Sequence, residues 1–183
     1  MKEHPLVFIV TGRRGEGKTS FVSGLTAGFA EMNLMPDGIL ALTSPGKEIP
    51  GRYTLKHIQS GRMIPLCSRK QVRGWQKTGP FYFNPQALEA GNRILTHPGI
   101  KNNDLIILDE IGKFELEGRI WAESLTWLLL NVSCPLIITV REALVEQVIG
   151  HWNLSAVEIV HISKTTPPDI SVEIVKRIKI NKP

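Results

Sequence analysis

The chain has 183 residues, of which 42% are hydrophobic and 21% charged, and a formal net charge of +5. This composition suits one folded unit with a sizeable core and excludes a disordered or fibrous chain. The two cysteines, Cys67 and Cys134, lie far apart, which excludes a disulfide framework or a cysteine zinc site. Met1 to Pro5 does not read as a signal peptide, and no apolar run is long enough to span a bilayer, so a cytoplasmic location without a membrane partner is expected.

Leu6 to Val10 is an unbroken apolar, β-branched-rich run, as expected for a strand covered on both faces. Directly after it stands Gly12-Arg13-Arg14-Gly15-Glu16-Gly17-Lys18-Thr19, a complete G-x-x-x-x-G-K-[ST] phosphate-binding loop. Glycine lets such a loop curl until several backbone N–H groups point into one small space. Lys18 adds a point charge for the β- and γ-phosphates of a nucleoside triphosphate, and the Thr19 hydroxyl can ligate Mg²⁺. The loop then opens a helix, whose dipole and free N–H groups add to the same anion site from Ser20 on. Phe21, Val22, Leu25, Phe29 and Met32 recur at helical spacing, and Pro36-Asp37-Gly38 ends the pattern.

Gly38 to Thr43 reads as a second strand. Arg52–Ile58 and Met63–Cys67 flank Gln59-Ser60-Gly61-Arg62 as a hairpin. Residues 69–79 read as an irregular basic loop around Trp75, followed by a short aromatic strand, Phe81 to Phe83. The span of about 46–83 is therefore an insertion at the ligand end of a single domain covering 1–183. No acidic residue lies between Glu48 and Glu89, whereas Arg52, Lys56, Arg62, Arg69, Lys70, Arg73 and Lys77 do; Lys176, Arg177, Lys179 and Lys182 form a second basic cluster. Such runs attract polyphosphate or nucleic acid, or form a solvated face. With no nucleic-acid-binding motif present, the nucleotide is the favoured anion.

Asn84 caps a helix with Pro85 at its first position. Leu105 to Leu108 is a second buried strand ending in Asp109-Glu110. Ligands bind outside the carboxyl ends of strands in open α/β sheets, so Asp109 should converge with Lys18 there and hold Mg²⁺. Strand alternation frees Glu110 for another task, to orient or deprotonate the attacking water. Ile120, Trp121, Ser124, Leu125, Leu128 and Leu129 define a helix face, with Trp121 in the core. Leu136 to Val140 is a third buried strand. Arg141 after it is the candidate cation for the γ-phosphate, with Lys113 as the alternative. Ala143–Ile149 reads as helix, and Val157–Ile162 and Ile170–Ile180 as strands, the last with rough alternation. Strands alternating with helices predict an α/β fold of the P-loop NTPase type, a mostly parallel sheet with helices on both faces and a β-hairpin insertion. The five histidines show no metal-binding spacing, and no G-x-S-x-G elbow is present.

The run Asp109-Glu110-Ile111-Gly112-Lys113-Phe114-Glu115-Leu116 resembles the signature of the small nucleoside-triphosphatase family, also called cancer-related nucleoside triphosphatases, with Phe114 in place of the usual Met. The resemblance implies a P-loop α/β fold in which Glu110 activates water. It also implies Mg²⁺-dependent hydrolysis of ATP, GTP and other triphosphates to diphosphates with broad base tolerance. Three stretches depart from the family: Arg13-Arg14 in the loop, residues 43–77, and Ser163 to Asp169, where the family often shows Asn-Arg-Asp or Asn-Arg-Asn. Two other functions fit the residues: a small nucleotide or nucleoside kinase, and a nucleotide-dependent adaptor in which slow hydrolysis times the release of a protein partner.

Overall fold

The computed structural model describes residues 5–43 and 52–180, the last two by backbone alone. Its centre is a nine-stranded sheet. Five strands run parallel: β1 (Val7–Gly12), β2 (Pro36–Thr43), β7 (Leu105–Ile111), β8 (Leu136–Arg141) and β9 (Val157–His161), in the spatial order β2-β7-β8-β1-β9. The chain between β2 and the second helix extends this sheet antiparallel, through β3 (Tyr53–His57), β4 (Met63–Ser68), β5 (Gln76–Thr78) and β6 (Phe81–Phe83). The expected hairpin is thus β3–β4, built into the main sheet. Residues 69–75 are irregular as expected, whereas 76–78 pair with β6 as a strand. The proposed start of the insertion, 46–51, lies outside the described residues.

The buried strands alternate faces, and each face has its own core. Val7, Ile9, Ile106, Leu108, Leu136 and Ile138 pack beneath α2 (Pro85–Thr96), α4 (Ala122–Asn131) and α5 (Val145–Trp152). Phe8, Val10, Leu105, Ile107 and Ile137 face α1 (Lys18–Glu31) and α6 (Pro167–Ile180). Each fully buried Ile, Leu or Phe contributes roughly 1.5–3 kcal/mol, so this sandwich holds the parallel strands rigid beneath the loops at their carboxyl ends. Trp121 lies in the core as expected, against Gly91, where a Cβ would come within 2.4 Å of the indole ring. Its helix starts one residue later, at Ala122, after a left-handed Ile120.

One expectation is overturned. Ile170–Ile180 is not a strand but the body of α6. Ile174 and Ile178, four apart, are buried, while Val172, which an alternating strand would bury with them, is 45% exposed. Thr166 and Asp169 bond across the first turn, and Pro167 opens the helix; this cap and the four-residue spacing override the alternation. The helix rests on α1, where Gly28 leaves room for Ser171.

At the opposite end of the sheet, His57 bonds the buried Asp37 carboxylate at 2.9 Å and the Ser60 hydroxyl at 2.8 Å, tying the β3–β4 turn to β2. Among the described residues no helix is long and apolar enough to cross a membrane.

Candidate active site

All five parallel strands end on the same edge, and the phosphate-loop strand β1 is separated from β7 only by β8. Gly12 pairs with Arg141 across the β1–β8 ladder, which brings the loop and this arginine to the same level. Gly15 and Gly17 take left-handed backbone angles, φ 80° and 94°, that a side chain would strain. The loop is also closed from within: the Glu16 carboxylate accepts the Arg13 N–H at 2.6 Å. Lys18 is buried, and its ammonium donates to the Gly12 and Arg13 carbonyls at 3.2 and 3.0 Å. Burial lowers its pKa, opposed by the charge of Glu110, assisted by Arg141, and opposed again by Asp109 and Glu16. The strand order and the Gly12–Arg141 pair bring Lys18, Asp109, Glu110 and Arg141 to the same edge of the sheet.

The Asp109 carboxylate is the most constrained group of the site, 1% exposed. It accepts the Ala41 N–H at 3.0 Å, the Thr139 hydroxyl at 2.6 Å and the hydroxyl of Thr19. Burial, and next the charge of Glu110, push its pKa up to about 6 against these donors. A hydroxyl and a carboxylate in contact, one from each side of the cleft, are a hard-oxygen pair that fits Mg²⁺, which takes few protein ligands and completes its shell with water and phosphate. Among the described residues no group of three or more His, Cys, Asp or Glu side chains could hold a metal.

Glu110 does not continue the strand regularly. The β7–β8 register slips between Leu108 and Ile111, and Glu110 has φ 68°. A non-glycine residue in this region costs on the order of 1–2 kcal/mol. The Thr139 hydroxyl holds the distortion: it accepts the Glu110 N–H at 2.8 Å while donating to Asp109. Thr139 was not among the residues singled out from the sequence; its only signal there is one hydroxyl in the aliphatic run Leu136 to Val140. Replacing it with Val, equal in shape, removes one donor from the Asp109 carboxylate and leaves the Glu110 N–H without this acceptor. Turnover is expected to fall about 10-fold or more, at about 1–3 kcal/mol for the stranded groups, with unchanged nucleotide affinity. Wild-type kcat in Thr139→Val would refute this role.

Glu115 is the second residue that sequence reasoning left without a role. Its buried carboxylate accepts the Gly112 N–H at 2.8 Å and the Trp121 N–H, fastening the short helix α3 (Lys113–Leu116) and the loop after it. Burial pushes its pKa up to about 7, against those donors. The folded state therefore binds this proton more tightly than the unfolded chain. The associated stability is complete below the unfolded value near 4.5 and is lost as pH rises through 7, at a cost of roughly 3 kcal/mol. Urea titrations of Glu115→Gln should show a shallower fall in stability between pH 5 and 8 than the unaltered chain. An equal slope in both would contradict it.

Of the remaining expected residues, Arg13, Arg14 and Ser20 are exposed around the loop, and Ser20 lines a shallow cleft with Gly17, Phe21, Ile162 and Ser163. Arg141 is exposed at the β1–β8 pair with Gly12 and its charge acts on Lys18, whereas Lys113 is exposed at the start of α3. Of the two cations, the geometry brings Arg141 to the site.

A phosphate loop, an aspartate in contact with its threonine and a glutamate beside them, at the carboxyl edge of a parallel sheet with helices on both faces, define a P-loop NTPase fold. The NTPase_1 family model, described as NTPase, matches residues 7–175, and the chain belongs to that family. It is similar to nucleoside-triphosphatase THEP1 of Metallosphaera sedula, 26% identical over 148 residues covering 78% of this chain and 75% of that protein. It is 31% identical to THEP1 of Thermotoga maritima over 116 residues, 63% of each chain. In structure it is similar to a human cancer-related nucleoside triphosphatase (TM-score 0.67, 18% identity, all of both chains). THEP1 of Aquifex aeolicus superposes with a TM-score of 0.65 and 18% identity over 97% of this chain and all of that one.

Proposed function

We propose that this protein hydrolyses nucleoside 5′-triphosphates to diphosphate and phosphate with Mg²⁺, tolerates different bases, and works in the cytoplasm. The contact between the Thr19 hydroxyl and the Asp109 carboxylate carries the reading, because these two groups would hold the metal from both sides of the cleft. Bound there, Mg²⁺ would neutralise charge on the β- and γ-phosphate oxygens. The loop N–H groups from Gly15 to Ser20 cradle the phosphates, and Lys18 leaves its carbonyl partners for them. Arg141 supplies a positive charge beside the γ-phosphate. Glu110, set off the strand axis, orients the attacking water and takes its proton.

Base tolerance is supported by the cleft beside the loop. It is lined by Phe21, Ile162, Pro167, Gly17, Ser20, Ser163 and Glu16, whose carboxylate is engaged by the Arg13 N–H, and the nearby Asp169 is engaged with Thr166 at the start of α6. The Ser20 and Ser163 hydroxyls can each donate or accept by rotation, so they discriminate weakly between bases. Phosphate release from ATP, GTP, CTP and UTP, with and without Mg²⁺ and with added nucleosides or nucleoside monophosphates, tests the reading. Comparable release from all four, dependent on Mg²⁺ and indifferent to acceptor, is expected. Transfer to an acceptor without free phosphate would make the protein a kinase, and tight binding without turnover would make it an adaptor.

A further inference from the structure

The antiparallel extension carries charge that the site described so far does not use. β3 runs against β2 and β4 against β3, so β4 points the same way as β7 and ends at the same edge of the sheet. Thr43, Tyr53 and Cys67 pair across β2, β3 and β4 at this edge. Arg52, just before β3, and the segment from Arg69 on, just after β4, therefore emerge at the nucleotide end. The charge of Glu110 acts on Cys67 as well as on Lys18. In the strand order β4-β3-β2-β7-β8-β1, Glu110 on β7 stands between the extension and the phosphate-loop strand, so the cations of the extension lie on the side of Glu110 away from β1.

These cations are held in an ordered frame. The fully buried Ser68 accepts the Lys70 N–H at 3.1 Å, and the Trp75 N–H closes a turn on the Val72 carbonyl at 3.1 Å. The guanidinium of Arg69 rests 5.4 Å from the centre of the Phe81 ring, and rings run on through Phe83 to Phe114 in α3. Arg69, Lys70 and Arg73 are exposed, and none forms an ion pair with a described residue. The Arg52 Nε is buried and has no hydrogen-bond partner among the described residues. A buried guanidinium nitrogen without an acceptor costs about 1–3 kcal/mol or more, and a phosphate oxygen is the partner its planar fork suits best.

We infer that Arg52, Arg69, Lys70 and Arg73 form a second phosphate-binding subsite, on the far side of Glu110 from the phosphate loop. The inference rests on the hydrolase reading, since it needs a nucleotide in that loop. The phosphate has two sources: the terminal phosphate of the bound triphosphate, or a separate phosphate standing beyond it. Cations placed there pull on the same phosphoryl group as Lys18, from the opposite direction. Such a clamp stabilises charge that spreads over the transferring oxygens.

The test uses the full chain and three variants: Lys70→Ala/Arg73→Ala, which keeps the Arg69–Phe81 stacking, the triple variant that adds Arg69→Ala, and Arg52→Gln. Calorimetry with Mg²⁺ would measure the Kd of ADP, of a β,γ-imido triphosphate, and of inorganic phosphate added to ADP-saturated protein. If the terminal phosphate is the ligand, the double variant loses about 10-fold in affinity for the triphosphate analogue, the effect of one charged hydrogen bond, and keeps its ADP affinity. If a separate phosphate is the ligand, both nucleotides bind as before, while phosphate binding to the ADP complex is lost. Either result supports the subsite. Unchanged values throughout would overturn it, as would an equal loss for ADP and triphosphate, or loss of binding to single-stranded RNA alone. A chain that binds Mg-nucleotide without releasing phosphate would refute the hydrolase reading while leaving this result readable.

Discussion

Glu110→Gln should bind Mg-triphosphate with wild-type affinity and lose at least about 10²-fold in turnover, the scale of removing one well-placed group from a transition state. The substitution keeps size, left-handed backbone and hydrogen bonding to water. It removes only the carboxylate proposed to accept the proton. The nearby charges make the distinction sharp. Asp109 is buried and bound by three donors, so it has little capacity left for water. Glu110 is only partly buried and is positioned by its backbone N–H through Thr139, so its side chain is left to act. Single-turnover phosphate release, with nucleotide affinity from calorimetry, checks the split. Unchanged turnover would take Glu110 out of the chemistry.

Lys18→Ala should damage both binding and rate, with turnover reduced about 10²–10³-fold or more. The ammonium has two partners without nucleotide, the Gly12 and Arg13 carbonyls, and burial disfavours its charge. A polyphosphate gives that charge a far better partner in a site of low dielectric. Truncation also leaves the two loop carbonyls without their donor, so part of the lost affinity reflects a looser loop. The triphosphate should lose more affinity than ADP, because the lysine reaches the β/γ position. Equal small losses for both nucleotides would show that Lys18 is a structural clasp only.

Much of this site was legible in the chain because its parts are local. A phosphate loop is one turn of backbone with glycines where φ is positive, and its strand and helix flank it directly. The Asp109-Glu110 pair follows an unmistakably buried strand. The hairpin, Phe81–Phe83 and the Asn84-capped helix were legible for the same reason. The C-terminal segment was misread because Ile170, Val172 and Ile174 alternate over five residues, while the helix is specified by Thr166, Pro167, Asp169 and the four-residue spacing of Ile170, Ile174 and Ile178. Where the two periods overlap, a short window cannot separate them, and the capping residues decide.

From one-dimensional information came the ligand class, the groups proposed to meet it and the alternation that builds a parallel sheet, since each depends on neighbours a few residues away. Only the folded chain revealed that Thr139 joins Asp109 to the backbone of Glu110, that Glu115 fastens the segment behind them, and that Arg141 rather than Lys113 stands beside Lys18. It also brought the basic segment after β4 to the edge where the phosphate loop lies. These contacts join residues up to 68 positions apart, as in the Asp109 bond to Ala41. They arise from strand order and one slipped register, which pairing across the sheet selects and no local pattern encodes.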